Sequence, residues 1–313
     1  MIVNPERSLV VSSLGWVEGD ALWVLDTSRG TPTVVPLETG GRYASLHGSD
    51  LERFVVAHHF DGKRFELSVR RFADPSQVQA NAVVTDREAK LAGDPAAWRG
   101  LPCLFVEYLA FSPWKDFVLI RVSPSVERVI LQRLEWYDQS YDKGYQGVTG
   151  ALSVPEHDLA LITIQRSSRL VLHDLNTGKA KRFIDLANRG GNPELAIRPA
   201  AGELWATDYD TLLVLRTKDW RVVRSARLQK AAAGTQQFVG KFAFAADGRC
   251  VLARPFSGDV VALENDSLRV KSKARLGNQP LEVAALSDGN VVARDWKTGI
   301  LLQGVLRRSW FAS

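Results

Sequence analysis

A tight corner recurs along this chain, each time after a short apolar stretch. It reads Ser112-Pro113, Val154-Pro155, Arg198-Pro199, Ala246-Asp247 and Ser287-Asp288, at spacings of 42, 44, 48 and 41 residues. A period of that length holds one four-stranded antiparallel sheet with its turns, the unit of a β-propeller. The repeat therefore predicts an all-β chain, residues 1–313 forming a single propeller domain of seven blades, with six as the alternative. It predicts shape more than chemistry, because propellers bind, hydrolyse, isomerise and scaffold on one architecture.

One unit reads most cleanly: KFAFAA, Asp247-Gly248, RCVLARPF, Ser257-Gly258, DVVALEN, Asp266-Ser267 and LRVKSKARL. Asp-Gly between apolar runs is a strong hairpin signal. The unit before it offers ELAIRP, ELWATDY, TLLVLRT and WRVVRSARL, and the one before that ALSVP, LALITIQ, RLVLHDL and KAKRFIDL. In all of these the first strand is short and apolar, as an innermost strand requires. The last is charged, which suits an outer strand with one wet face. The final unit has three strands, LEVAALS, NVVARDW and ILLQGVL, and the N-terminus also offers three, SLVVSSL, ALWVLD and PTVVPL. A closed ring leaves no free sheet edge. The terminal strands are therefore predicted to close the ring, either by sharing a sheet or by lying side by side. The second unit (RYASLHG, FVVAHHF, RFELSVRRF, VQANAVVT) and the third (CLFVEYLAF, FVLIRV, RVILQRLEWY) depart from the template by insertion, at residues 86–100 and in the loop YDQSYDKGYQG.

A five-residue turn occurs twice, Asp174-Leu175-Asn176-Thr177-Gly178 and Asp295-Trp296-Lys297-Thr298-Gly299. This D-x-x-T-G pattern resembles the inter-strand turn of the WD40/YVTN-like propeller superfamily. The two copies fall between different strand pairs of their units. The resemblance covers the whole chain as architecture and implies no particular activity, since the Trp-Asp signature and the YVTN tetrapeptide are both absent. The turn has its own chemistry: Asp caps its own backbone and Gly supplies a positive φ.

Hydrophobic residues make up 45% and charged residues 24% of the chain, enough to bury a large core. The formal net charge of +5 is spread out, and the basic pairs Arg70-Arg71 and Arg307-Arg308 are short. Nucleic-acid binding needs a clustered basic patch, so it is not expected. Cys103 and Cys250 lie in apolar strands without metal-ligand spacing and read as two buried thiols. The N-terminal residues MIVNPERSLVVSS lack the pattern of a secretory leader, and no apolar run approaches 18 residues. A cytoplasmic protein with no membrane contact is expected.

The chain offers few residues in patterns that carry chemistry. His58 and His59 are neighbours in a strand and point to opposite faces, which opposes a shared metal. His47 could approach one of them across a strand, with Asp50 or Asp61 as a carboxylate ligand. A propeller lactonase would draw Glu, Asn and Asp ligands from several blades, and Asn192, Glu194, Asp208, Asp210 and Asn278 stand at suitable strand ends. No G-x-S-x-G elbow or P-loop is present. The Gly-rich run Asn188–Asn192 reads as a connection between blades. The segment Glu135–Tyr145 is aromatic, with Trp136, Tyr137, Tyr141 and Tyr145, and Trp98 lies in the other insertion. Aromatics with polar tips are favoured at interfaces. The expected function is a non-enzymatic propeller, monomeric and without cofactor, that docks protein partners through the rim loops of blades two and three. The alternative is a metal-dependent hydrolase or lyase, lactonase-like, at the mouth of the central channel.

Overall fold

The computed structural model describes residues 2–4, 9–13, 21–26, 33–39, 44–48, 53–60, 64–85, 105–108, 118–122, 129–133, 148–154, 157–164, 169–186, 194–228, 238–245, 247–286 and 289–306. These residues form seven antiparallel sheets in chain order. The first comprises β1 (Ile2–Asn4), β2 (Leu9–Ser13), β3 (Ala21–Asp26) and β4 (Thr33–Thr39). The second holds β5 (Ala44–Gly48), β6 (Arg53–Phe60), β7 (Arg64–Arg71) and β8 (Asp74–Thr85), and the third β9 (Phe105–Tyr108), β10 (Val118–Val122) and β11 (Val129–Arg133). The fourth runs β12 (Val148–Val154), β13 (Leu159–Ile164), β14 (Arg169–Asp174) and β15 (Ala180–Asp185). The fifth runs β16 (Leu195–Arg198), β17 (Glu203–Asp208), β18 (Thr211–Arg216) and β19 (Arg221–Arg227). The sixth runs β20 (Phe242–Phe244), β21 (Cys250–Arg254), β22 (Asp259–Leu263) and β23 (Val270–Arg275), and the seventh β24 (Pro280–Ala285), β25 (Asn290–Asp295) and β26 (Leu301–Val305).

Every sheet is an up-and-down meander, with strands paired in sequence order. The recurring corner of the sequence lies between the first and second strands of sheets three to seven. The insertions at 86–100 and 137–147 fall in the connections out of β8 and β11, outside the described residues. At the N-terminus the chain reads as three strands but folds as four. Ile2–Asn4 pairs with β2 in the register Ile2↔Val11 to Asn4↔Leu9, a ladder too short to show alternation in sequence. The first sheet is therefore complete on its own, and β1 lies against β24 of the last sheet.

The core lies between sheets. Leu161, Leu170 and Leu172 of the fourth sheet meet Leu204, Ala206, Leu213 and Leu215 of the fifth. From its other face the fifth sheet contributes Trp205, Leu212 and Val214, which meet Cys250, Leu252, Val261 and Leu263 of the sixth. Val251, Ala253, Val260 and Ala262 turn the other way and pack on Val283, Ala285, Val291 and Ala293 of the seventh. Alternate residues along one strand thus serve two different interfaces, which is the period-two geometry of a strand buried on both faces. The thiol of Cys250 is free and fully buried in the second of these interfaces, and burial pushes its pKa far up.

In all five four-stranded sheets the register slips between the third and fourth strands: at Leu22/Trp23, Val69/Arg70, Leu172/His173, Val214/Leu215 and Ala262/Leu263. Such bulges bend a strand and increase its twist, here in the outermost pair. The outer strands β15, β19 and β23 carry exposed basic residues, whereas β26, the last strand of the seventh sheet, has the uncharged sequence LLQGV.

The D-x-x-T-G turn is built as its residues require. Asp295 Oδ1 accepts the N–H groups of Lys297 (3.0 Å) and Thr298 (3.1 Å), and Gly299 N–H donates to the Asp295 carbonyl at 3.0 Å with φ of 68°. Asp174 does the same for Asn176 and Thr177, both at 2.9 Å. Asp295 goes further: its Oδ2 accepts from Asn278 (3.0 Å) and Gln279 (2.9 Å), tying the turn to the connection into β24. Burial alone would raise the pKa of this carboxyl, but the donors hold it down at about 2. A depressed folded-state pKa stabilises above the unfolded value and is lost as pH falls through the folded one. Stability measured by urea unfolding should therefore fall between pH 4 and pH 2, and Asp295→Ala should cost about 3 kcal/mol at pH 7 while flattening that decline.

Candidate functional site

In a ring of sheets, the innermost strands and the connections that lead into them are where side chains from different sheets can converge. The described residues bring four charges together there. Glu194 immediately precedes β16, Lys241 immediately precedes β20, and Glu282 lies in β24. The Lys241 ammonium stands 3.6 Å from Glu194 Oε1 and 3.2 Å from Glu282 Oε1, and Arg294 Nε lies 2.9 Å from Glu282 Oε2. One lysine therefore bridges carboxylates from two other sheets. Its placement is backbone-directed: Lys241 N–H donates to the Leu281 carbonyl at 2.7 Å, and its own carbonyl accepts from Ala253 at 3.1 Å. Gly240 permits this approach, since a Cβ there would stand 2.3 Å from the Leu281 carbonyl oxygen.

Burial raises the Glu194 pKa, opposed by the positive charge of Lys241. At Glu282 burial acts the same way, but nearby cations, Lys241 and Arg294 among them, outweigh it and drive the pKa far down. The Lys241 pKa is raised, chiefly by Glu194. Among the described residues the arrangement sets two carboxylates beside two cations, a clamp across three sheets. Lys241 is 42% exposed, so it remains reachable by water. Removing it leaves the two carboxylates facing each other. Breaking a buried pair costs several kcal/mol, and the exposure discounts that to about 2 kcal/mol for Lys241→Ala. Because a raised Glu194 pKa is relieved by protonation, this loss should be smaller at pH 4 than at pH 7 in urea unfolding.

Asp210 pairs with Arg227, and Asp208 is fully buried. Asn278 is exposed and gives its backbone N–H to Asp295. Asn192 lies outside the described residues, as do Trp98, Trp136, Tyr137, Tyr141 and Tyr145. The backbone register sets His47 opposite Val55, His58 opposite Ala44 and His59 opposite Phe65. His47 is therefore three and four positions along the ladder from the points facing His58 and His59, about 10–13 Å at the rise of a strand. Among the described residues no group of three His, Cys, Asp or Glu side chains could hold a metal ion. Also among them, no helix is long and apolar enough to cross a membrane.

A second feature lies where the turns between second and third strands meet the connections into the first strands. Val239 N–H donates to the Tyr209 carbonyl (2.7 Å), Leu276 N–H to Gly258 (3.3 Å) and Trp296 N–H to Gln279 (2.8 Å), so turns and connections of the last three sheets share one end. Three rings gather there. Phe238 stands 5.1 Å from Phe256 and 5.5 Å from Trp296, at interplanar angles of 89° and 67°. Phe256 is 40% exposed and Trp296 52%. Neither ring is singled out by the sequence reading, which places both at strand ends. The signal was an aromatic two or three residues before a turn glycine, in Phe256-Ser257-Gly258 and Trp296-Lys297-Thr298-Gly299.

No family model matches the chain, and no curated protein matches it. Solved structures do, along nearly its whole length. The β-propeller domain of Cps50 (Swd1) from Myceliophteria thermophila is 12% identical over 98% of this chain and 96% of that one, with a TM-score of 0.67. A chain of a mitotic checkpoint complex is 10% identical over 96% of this chain and 87% of that one, with a TM-score of 0.60. A putative 6-phosphogluconolactonase from Bacteroides fragilis is 11% identical over 99% of this chain and 96% of that one, with a TM-score of 0.66. Meandering sheets packed face to face and likeness at nearly full coverage agree: the chain has the architecture of a β-propeller.

Proposed function

We propose that this propeller docks protein partners. The observation that carries the reading is the exposed ring cluster at Phe238, Phe256 and Trp296, since large aromatic rings left in water at a turn-bearing end are the usual anchors of protein interfaces. Two of the similar structures are a Swd1 propeller and a component of a mitotic checkpoint complex, which supports the same reading. The finer form keeps seven blades, with β1 beside β24 closing the ring. It also keeps the rim loops of blades two and three as a second docking region, anchored by Trp98, Trp136, Tyr137, Tyr141 and Tyr145.

Affinity purification with quantitative mass spectrometry tests it. A set of partners retained by wild type should be depleted by Phe256→Ala/Trp296→Ala or by Tyr141→Ala/Tyr145→Ala. If both variants retain the same partners as wild type, neither surface docks proteins.

The second reading, a lactonase-like hydrolase at the channel mouth, draws on the likeness to the Bacteroides protein and on Glu194 and Glu282 meeting from two sheets. A divalent ion between those carboxylates must displace Lys241. Thermal unfolding in millimolar calcium or manganese, for wild type and Lys241→Ala, separates the readings: docking expects no shift in either, whereas the hydrolase expects wild type to be stabilised.

A further inference from the structure

The ring cluster has a charge environment that specifies what it can hold. Phe256 stands between Arg254 and Asp259, which neutralise each other through contacts of 2.7 and 2.5 Å. Asp295, the acid next to Trp296, is 3% exposed and accepts backbone N–H groups from Asn278, Gln279, Lys297 and Thr298. Its charge is held by backbone dipoles, with no ion-pair partner among the described residues. Lys297, which follows Trp296, and Arg275, the Cα partner of Asp259, are both exposed and have no ion-pair partner among the described residues. At the same end, Arg227 is matched by Asp210. Among the described residues Lys297 and Arg275 outnumber Asp295, so the unpaired charge beside the rings is net positive.

Resting on the docking reading, we propose that Phe238, Phe256 and Trp296 form the seat for an apolar or aromatic side chain of a protein segment whose flanking residues are Asp or Glu. The rings supply apolar area, and Lys297 and Arg275 supply the complementary charge. Single-stranded nucleic acid is the other chemistry that combines rings with cations, but it needs open parallel faces along a cationic track. Here the rings meet edge to face, at 89° and 67°. That leaves ring edges and a corner between them, a shape for one side chain rather than a stack of bases.

The test is selection of random displayed peptides against the full chain, followed by fluorescence anisotropy of the selected peptides. The expected peptides carry Leu, Phe or Trp beside at least two acidic residues. Their affinity should fall at least tenfold in Phe256→Ala/Trp296→Ala and at least threefold in Lys297→Glu, and should weaken as salt rises. Trp296→Tyr should retain binding, and unchanged thermal midpoints should show that the variants fold. If no peptide is selected, or none responds to the ring variants, docking at this surface is overturned. Peptides that respond to the ring variants but show no acidic preference, or bind Lys297→Glu more tightly, overturn the charge chemistry alone. Displacement by an oligo(dT) strand overturns the proposal in favour of nucleic acid.

Discussion

The fold depends on one constraint: the fourth to seventh sheets are each apolar on both faces and too small to stand alone. Leu204 and Trp205 are adjacent in β17, both fully buried, and they lie in different inter-sheet cores. The same holds for Val251 and Leu252 in β21. A three- or four-stranded sheet with two apolar faces needs a neighbour on each side, and repeating that requirement around an axis is what a propeller does. The charge clamp at Lys241 is secondary to it. It joins the fifth, sixth and seventh sheets at their first strands, of which β16 and β20 are the shortest strands of their sheets.

Much of this was legible because turns are local chemistry. Asp174 and Asp295 announce their turns, and the corner after β12, β16, β20 and β24 marks the first hairpin of each unit. The basic outer strands β19 and β23 show their wet positions directly. The three-residue strand at Ile2–Asn4 escaped notice because it is shorter than one full alternation.

The candidate sites were far less legible. Lys241, Glu282 and Arg294 each read as an ordinary polar residue of a strand; only the packing of three sheets makes them a unit. Glu194 was visible as a strand-end carboxylate, but its partner is 47 positions away, in Lys241. The ring cluster was hidden for a different reason. Phe256 and Trp296 follow apolar strands in sequence, so they look like core, and it is the turn in which each lies that carries the side chain out into water.

The five-residue turns hold one more consequence. In each, the fifth N–H donates to the first carbonyl and the fifth residue has a positive φ: Gly178, Trp220, Gly258, Leu268 and Gly299. A left-handed conformation costs a residue other than glycine about 1 kcal/mol or more, yet two of the five are large and apolar. Leu268 is 2% exposed and belongs to the core between the fifth and sixth sheets, and Trp220 packs against the core between the fourth and fifth. Burying such a side chain returns about 2 kcal/mol, which offsets the conformation. At Trp220 and Leu268 the turn thus works as a stopper as well as a bend: its backbone bond fixes the shape, and its last side chain packs into the seam beside it.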